Sequence, residues 1–193
     1  MAFGLTAAEP CVRVGVTVTF LRMERPPIDP PPALPRGVHV VALRNCTVAQ
    51  YRALYDAVGQ AHVWWLRRAM PSADLARLLQ NPRVGINLLY ADMQPAGFYE
   101  LDWRGLPGVN ISYFGLLPHA IGRGLGRILL RHAVDSAWRV GAQAVTVNTC
   151  TADHPQALPN YLRVGFVPVR EVREEWHVPT RLGLNIPERL LLD

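Results

Sequence analysis

The central part of the chain alternates hydrophobic and polar residues with the period of two that is typical of half-buried strands. Three such runs, VGINLLYAD, PAGFYELDW and VNISYFGLL, are separated by the turn segments MQP and RGLPG, which predicts an antiparallel meander. Further β-branched runs predict strands from about Val12 to Met23, at Val38 to Leu43, in AQAVTVNTC and in FVPVREVREEW.

Helical periodicity separates and flanks these strands. Thr47 is a predicted N-cap for VAQYRALYDAVG, and AHVWWLRRAM and SADLARLLQN continue the pattern. A long glycine-led helix follows Pro118, and HPQALPNYLRVG predicts a short helix capped by Asp153. This order of elements predicts an α/β fold, α+β by some schemes, around one central sheet. We expect a single domain over residues 1–193, with a proline-rich connector at 25–36 and a C-terminal tail at 177–193.

Composition narrows the class of protein. The 193 residues are 50% hydrophobic, enough for one sizeable core, and the net charge of +5 comes from scattered arginines. Scattered positive charge suits an anionic ligand or an ordinary basic surface, and we expect no nucleic-acid partner. Three cysteines without C-x-x-C spacing predict neither disulfides nor a metal site. The N-terminal MAFGLTAAEP lacks the pattern of a leader and no run is apolar enough to span a membrane, so a cytoplasmic location without membrane association is expected.

The start of the glycine-led helix is the most informative segment. Gly122, Gly124 and Gly126 alternate with Arg123 and other side chains, at a place where unpaired N–H groups and the helix dipole attract anions. Glycines let a phosphate approach closely, and Arg123 and Arg127 add charge. A dinucleotide G-x-G-x-x-G pattern and a Walker lysine are both missing, and tight helix-to-sheet packing without a ligand is the alternative.

Two motifs give this segment a family resemblance. The stretch IGRGLG resembles motif A of the GNAT superfamily of acyl-CoA N-acyltransferases, R/Q-x-x-G-x-G/A, with Ile121 at the R/Q position. Downstream, HPQALPNYLRVGF is similar to motif B, N-x-x-A-x-x-x-Y-x-x-x-G-F, with Ala157, Tyr161 and Gly165 in register and His154 at the asparagine position. The order of elements over roughly residues 38–176 fits the same family.

The resemblance implies a GNAT fold: a mixed, mostly antiparallel sheet with helices on both faces and splayed central strands. It implies acetyl-CoA as co-substrate, entering between ISYFGLLP and VTVNTC with a bulge expected in GLLP, and it implies Tyr161 as general acid. The residues expected to bind the coenzyme are Gly115, Leu116, Leu117, Gly122, Arg123, Gly124, Leu125, Gly126, Arg127, Asn148, His154 and Tyr161.

A carboxylate in the interior of a predicted strand is a candidate for the general base. Alternation places Glu100 with Phe98 on one face of its strand, and an interior carboxylate needs a partner, so Glu100 is a candidate base, with water or a salt-bridged strand face as alternatives. His119 and His154 are candidate bases or ordinary loop histidines. The region of Trp64, Trp65 and Arg67 forms the acceptor lid in the superfamily, and Trp65, Tyr99 and Tyr113 are the expected substrate-binding residues.

These features predict direct transfer of an acetyl group to a primary amine of a small molecule. Two alternatives stay open: an acetyltransferase acting on protein lysines or N-termini, and a non-catalytic acyl-CoA-binding sensor. The apolar tail ERLLLD, which ends at Asp193, predicts either a homodimer contact or a segment that folds back.

Overall fold

Residues 9–193 are described by a computed structural model, so the first eight residues, which carry most of the leader prediction, lie outside the described residues. The fold is one seven-stranded sheet with the order β2-β3-β4-β5-β6-β1-β7. The strands are β1 (Cys11–Met23), β2 (Val38–Ala42), β3 (Val84–Ala91), β4 (Gln94–Asp102), β5 (Gly108–Leu116), β6 (Ala144–Cys150) and β7 (Val167–Pro179).

The sheet confirms the predicted fold class. All neighbouring strands are antiparallel except β5 and β6, which run parallel. The first strand of the chain lies inside the sheet, because β1 pairs with β6 through Val18 and Cys150 and with β7 through Val18 and Val172. The N-terminal strand therefore joins the two last strands of the chain into one surface.

Within residues 9–193, five α-helices cover the sheet: α1 (Val48–Gly59), α2 (Leu66–Ala69), α3 (Ser72–Leu79), α4 (Leu125–Arg139) and α5 (Ala157–Val164). Thr47 caps α1 with a complete capping box, as predicted. The prediction of a continuous helix through AHVWWLRRAM is wrong at Val63, whose φ of 56° and ψ of 36° are left-handed and end the short 3-10 turn Gln60–His62. Asp153 does not cap α5, whose N-cap is Gln156.

The core has a layer on each face of the sheet, as the alternation in β4 predicts. Tyr99 and Leu101 face α4 and pack with Leu129, whereas Phe98 faces α1 and packs with Tyr51. A third, smaller cluster lies on one face of β1 and β7 and includes Val14, Val16, Val18, Val63 and Trp176. The sheet is therefore covered on both faces, and the site must lie where its strands separate.

The connector and the tail both run along this body. Arg131 on α4 donates hydrogen bonds to the carbonyl oxygens of Asp29 and Pro30 in the connector. Strand β7 continues to Pro179, so residues 177–179 of the predicted tail belong to the strand. The tail folds back: Leu190 is only 3% exposed, and the Leu192 N–H donates to the carbonyl of Arg13 at 3.1 Å. Within residues 9–193, no helix is long and apolar enough to cross a membrane.

Candidate active site

The central strands separate where the resemblance predicts a cleft. Strands β5 and β6 pair only from Gly108 and Ala144 to Ile111 and Val147. Beyond that point β5 stays with β4, while β6 stays with β1, so the two strands diverge. The register between β4 and β5 slips at Ser112, which places the bulge there and not in GLLP. The extra residue bends β5 away from β6 at the start of the opening.

Backbone groups of β5 line one side of this opening. The Leu117 N–H donates a hydrogen bond to the carbonyl oxygen of Ala96 in β4 at 2.9 Å, so it is not available to a ligand. The carbonyl of Gly115 also points towards β4, since a Cβ on Gly97 would lie 2.6 Å from it. Because hydrogen-bonding direction alternates along an antiparallel strand, the backbone groups of Leu116 and Phe114 face the opening. Of the three predicted residues 115–117, only Leu116 therefore presents its backbone to the cleft.

The opening widens into a cavity of about 1130 Å³ between α1, α5, β1 and the diverging strands. Most of the predicted site residues line it. They are Trp65, Tyr113, Gly115, Leu116, Gly122, Gly124, Gly126, Arg127, Asn148, His154 and Tyr161.

The start of α4 forms one end of the cavity. Gly122 and Gly124 have positive φ values of 82° and 75°, a conformation that strains other residues. A Cβ at either position would meet no protein atom within 4 Å, so the space that it would fill is open. The first N–H groups of α4 have no intrahelical partner and reach this space. An elongated anion such as the pyrophosphate of coenzyme A fits these residues.

The two arginines of this segment differ. Arg127 lines the cavity, beside the free end of the helix. Arg123, predicted as a phosphate contact, instead forms an ion pair with Asp92 at 3.2 Å and does not line the cavity. Residue 123 lies between the two glycines with positive φ, and its side chain is exposed. The side chain of Leu125 is buried in the core, so only its N–H group can meet a ligand.

Tyr161 on α5 lines the cavity. Its ring packs edge-on against Phe114 and Phe166, with ring centroids 6.2 and 5.9 Å away. Burial raises the pKa of the Tyr161 phenol well above its usual value, and the negative charge of Asp153 raises it further. The phenol is therefore protonated at neutral pH and can donate a proton or a hydrogen bond into the cavity.

Two further residues that the sequence did not single out as reactive line the cavity. Asp153 accepts hydrogen bonds from Thr149 Oγ1 at 2.8 Å and from the Cys150 N–H at 2.9 Å, and its other oxygen accepts from Trp64 Nε1 at 3.3 Å. His62 lines the same cavity, and its ring lies 6.1 Å from that of His154. Burial lowers the pKa of His62, which keeps the imidazole neutral, although Asp153 opposes this effect.

Glu100 lies outside the cavity, although it is fully buried, as expected. Its carboxylate accepts a hydrogen bond from the Tyr51 hydroxyl and forms an ion pair with Arg67 at 2.6 Å. The salt-bridged alternative is therefore the one found, because the face of β4 that carries Glu100 is covered by α1 and α2. With both oxygens engaged away from the cleft, Glu100 is not placed to act as the general base.

Two of the three predicted substrate-binding residues line the cavity and one does not. Tyr99 lies on the α4 face of the sheet, where its hydroxyl donates to Ser136 Oγ at 3.1 Å and lies 2.8 Å from His132 Nδ1. Tyr113 lines the cavity, and the Arg67 guanidinium carbon lies 5.0 Å from its ring centroid. Trp65 lines the cavity from the other side. Alternation explains the difference, since Tyr99 follows Phe98 onto the opposite face.

The buried ion pair gives a stability prediction. Arg67→Met leaves the Glu100 carboxylate buried without its cation, so we expect the free energy of unfolding in urea to fall by about 3–5 kcal/mol. Arg77→Met is the matched control, because its ion pair with Asp74 is exposed and should contribute about 0–1 kcal/mol. Equal losses in the two variants would contradict the role given to Arg67, and Glu100→Gln should restore part of the stability of Arg67→Met.

The mostly antiparallel sheet with diverging central strands matches the GNAT fold, and a sequence comparison agrees. The model of the Acetyltransferase (GNAT) family matches residues 50–166, which is more than half of the chain. The chain therefore belongs to the acetyltransferase (GNAT) family. No curated protein matches the chain significantly.

Solved structures share the fold at low identity. A GCN5-related N-acetyltransferase from Kribbella flavida has a TM-score of 0.59 and 19% identity, over 89% of this chain and 63% of that one. A GCN5-related N-acetyltransferase from Sphaerobacter thermophilus has a TM-score of 0.61 and 18% identity, over 89% of this chain and 53% of that one. An aminoglycoside acetyltransferase from an uncultured soil metagenomic sample has a TM-score of 0.54 and 15% identity, over 67% of this chain and 88% of that one. The chain thus spans between about half and two thirds of the length of the first two structures.

Proposed function

We propose that the protein is an acetyl-CoA-dependent N-acetyltransferase that moves the acetyl group directly to a primary amine of a small molecule. The observation that carries the proposal is a single cavity with an anion-binding helix start at one end and a buried, protonated Tyr161 in its lining. A protein that only binds acyl-CoA needs the anion-binding helix start and no proton donor. Tyr161 supplies a proton where the resemblance to motif B expects one.

Acetyl-CoA, when bound, supplies a thioester as the acyl donor. The N–H groups of residues 125–127 and the guanidinium of Arg127 would hold its pyrophosphate. The backbone groups of Leu116 that face the opening would form hydrogen bonds with the pantetheine arm, in the way that an added β-strand would. These groups orient the donor, because the fold holds them in position before the ligand binds.

We assign acid and base catalysis to two residues that line the cavity. Tyr161, whose phenol is protonated at neutral pH, donates its proton to the departing thiolate sulfur. We assign the base to His62, because it lines the cavity and its lowered pKa keeps the imidazole neutral. His62 takes the proton of the amine nitrogen as that nitrogen bonds to the acetyl carbon.

The assignment of His62 predicts a pH dependence. At saturating amine and acetyl-CoA, kcat should rise with pH along a limb with its midpoint below 6.5, because only the neutral imidazole accepts a proton. His62→Gln should lower kcat by about 10²-fold and remove that limb. The control is His119→Gln, which replaces an exposed histidine outside the cavity and should keep the limb. An unchanged limb in His62→Gln would assign the base elsewhere.

The function itself is tested by release of free thiol from acetyl-CoA over a panel of small amines, lysine peptides and peptide N-termini. We expect turnover with small amines, because the segment 62–66 lines the cavity and narrows it on the acceptor side. Faster turnover with peptides would favour the protein acetyltransferase. Binding of coenzyme A without thiol release from any member of the panel would favour the sensor.

A further inference from the structure

The acceptor end of the cavity carries an acidic and aromatic wall on β7. In the antiparallel register Glu174 lies opposite Val16 and Trp176 opposite Val14, so both side chains share the face of the third hydrophobic cluster. Val18 and Trp65 complete this wall of the cavity. The arrangement places a carboxylate among apolar and aromatic groups, a setting that favours a bound cation.

The charge of Glu174 has no protein counterion among the described residues. Its only side-chain partner there is the Trp176 Nε1–H, which donates to Glu174 Oε2 at 2.8 Å. The neighbouring Glu175 differs, because Arg13 is bound to it at 2.7 Å. The cavity-lining arginine, Arg127, belongs to the α4 end. A half-buried carboxylate on an aromatic wall, without a cation, marks a place where a ligand can supply the positive charge.

The position of Glu174 separates this charge from the reacting end. Cys150, whose N–H binds Asp153, lies opposite Val18 of β1. Val18 in turn lies opposite Val172 of β7, two residues before Glu174. With standard strand spacings, the Cα atoms of Cys150 and Glu174 are about 12 Å apart. Asp153, which the Cys150 N–H binds, is also the carboxylate whose charge acts on His62. A molecule whose amine lies beside Asp153 therefore has room for several bonds before it reaches Glu174.

We propose that the acceptor is an amine with a second cationic group several bonds away, which Glu174 binds between Trp65 and Trp176. This inference rests on the proposed function, since it names the acceptor of the same cavity. The carboxylate forms a charge-assisted hydrogen bond with the remote ammonium group, and the indole faces bind the same cation. The chain between the two amines packs against Val18 and Val63.

The test compares two series of acceptors with three to eight carbons, the α,ω-diamines and the 1-aminoalkanes. The wild-type protein should acetylate the best diamine with kcat/KM about 10- to 100-fold above that of the monoamine of equal length. Glu174→Gln keeps an acceptor for Trp176 and removes the charge, so it should reduce the ratio of diamine to monoamine kcat/KM to about 1. Glu171→Gln is the matched control, because Glu171 lies on the same strand, binds Thr19 and does not line the cavity.

Equal rates for diamines and monoamines in the wild type would overturn the proposal, and so would a preference that survives Glu174→Gln. A binding measurement separates this failure from failure of the proposed function. Calorimetric titration of the best-fitting diamine into the protein saturated with coenzyme A needs no turnover. Diamine binding that Glu174→Gln abolishes would support the cation site even in a protein without transferase activity, whereas absence of binding would overturn it.

Discussion

Replacing Tyr161 with phenylalanine is expected to lower kcat by about 10²- to 10⁴-fold while the Kd for coenzyme A stays unchanged. The substitution removes the proton donor and keeps the ring that packs against Phe114 and Phe166. The leaving thiolate then departs without its proton. Initial rates of thiol release and calorimetric titration with coenzyme A measure the two quantities.

The control for this variant is Tyr90→Phe. Tyr90 stacks on His39 at the β2–β3 edge and does not line the cavity, so its loss of a hydroxyl should leave kcat unchanged. Full turnover by Tyr161→Phe would show that the proton comes from another group or from water. A loss of coenzyme binding in that variant would show that the hydroxyl holds the ligand and does not serve as the acid.

The second large effect is expected from Gly124→Val, which should abolish detectable binding of coenzyme A in a folded protein. The residue has a φ of 75° and faces open space at the start of α4, so a branched side chain would occupy the volume given to the pyrophosphate. The strain itself is about 1–2 kcal/mol, which a domain of this size tolerates. Calorimetry reports the binding and circular dichroism reports the fold.

Gly141→Val is a closely matched control, because Gly141 follows the other end of α4. It also has a positive φ, of 89°, and a Cβ there would meet no atom within 4 Å, but it does not line the cavity. It should show the same strain and normal coenzyme binding. Normal binding by Gly124→Val would contradict the assignment of the pyrophosphate to this helix start.

Local sequence patterns were sufficient to predict most of the helices and strands and many of the residues that line the α4 end of the cavity. The alternation of side chains along β4 placed Phe98 and Tyr99 on opposite faces of the sheet correctly. The glycines of α4 and Tyr161 carry signals in the chain itself. Their meeting in one cavity follows from strand order, which the resemblance implied and periodicity did not.

Contacts between distant segments could not be predicted in the same way. Alternation gave the face of Glu100 but not its partner, since Arg67 reaches it only because the chain turns at Val63. His62, which precedes this left-handed residue, lines the cavity, and no residue type in AHVWW predicts either feature. The insertion of β1 between β6 and β7 is likewise a pairing across the whole chain, which local sequence does not encode.

Arg123 and Arg127 illustrate a limit of spacing arguments. Both flank the same glycines, and both are equally suited to bind a phosphate. The first lies between Gly122 and Gly124, which have positive φ, and pairs with Asp92, whereas the second lies in α4 and lines the cavity. The backbone conformation of a loop leaves no periodic pattern in the sequence, so the sequence could not show which of the two arginines lines the cavity.

The most direct measurement follows the acetyl carbon itself. The protein is incubated with acetyl-CoA labelled with ¹³C in the acetyl group and with the fastest amine of the panel, and the products are quantified by mass spectrometry. Direct transfer within the cleft predicts one labelled acetyl group on the amine for each free thiol released, with none on the protein. Labelled acetate without acetylated amine, or a labelled acetyl group held by Cys150, would contradict it.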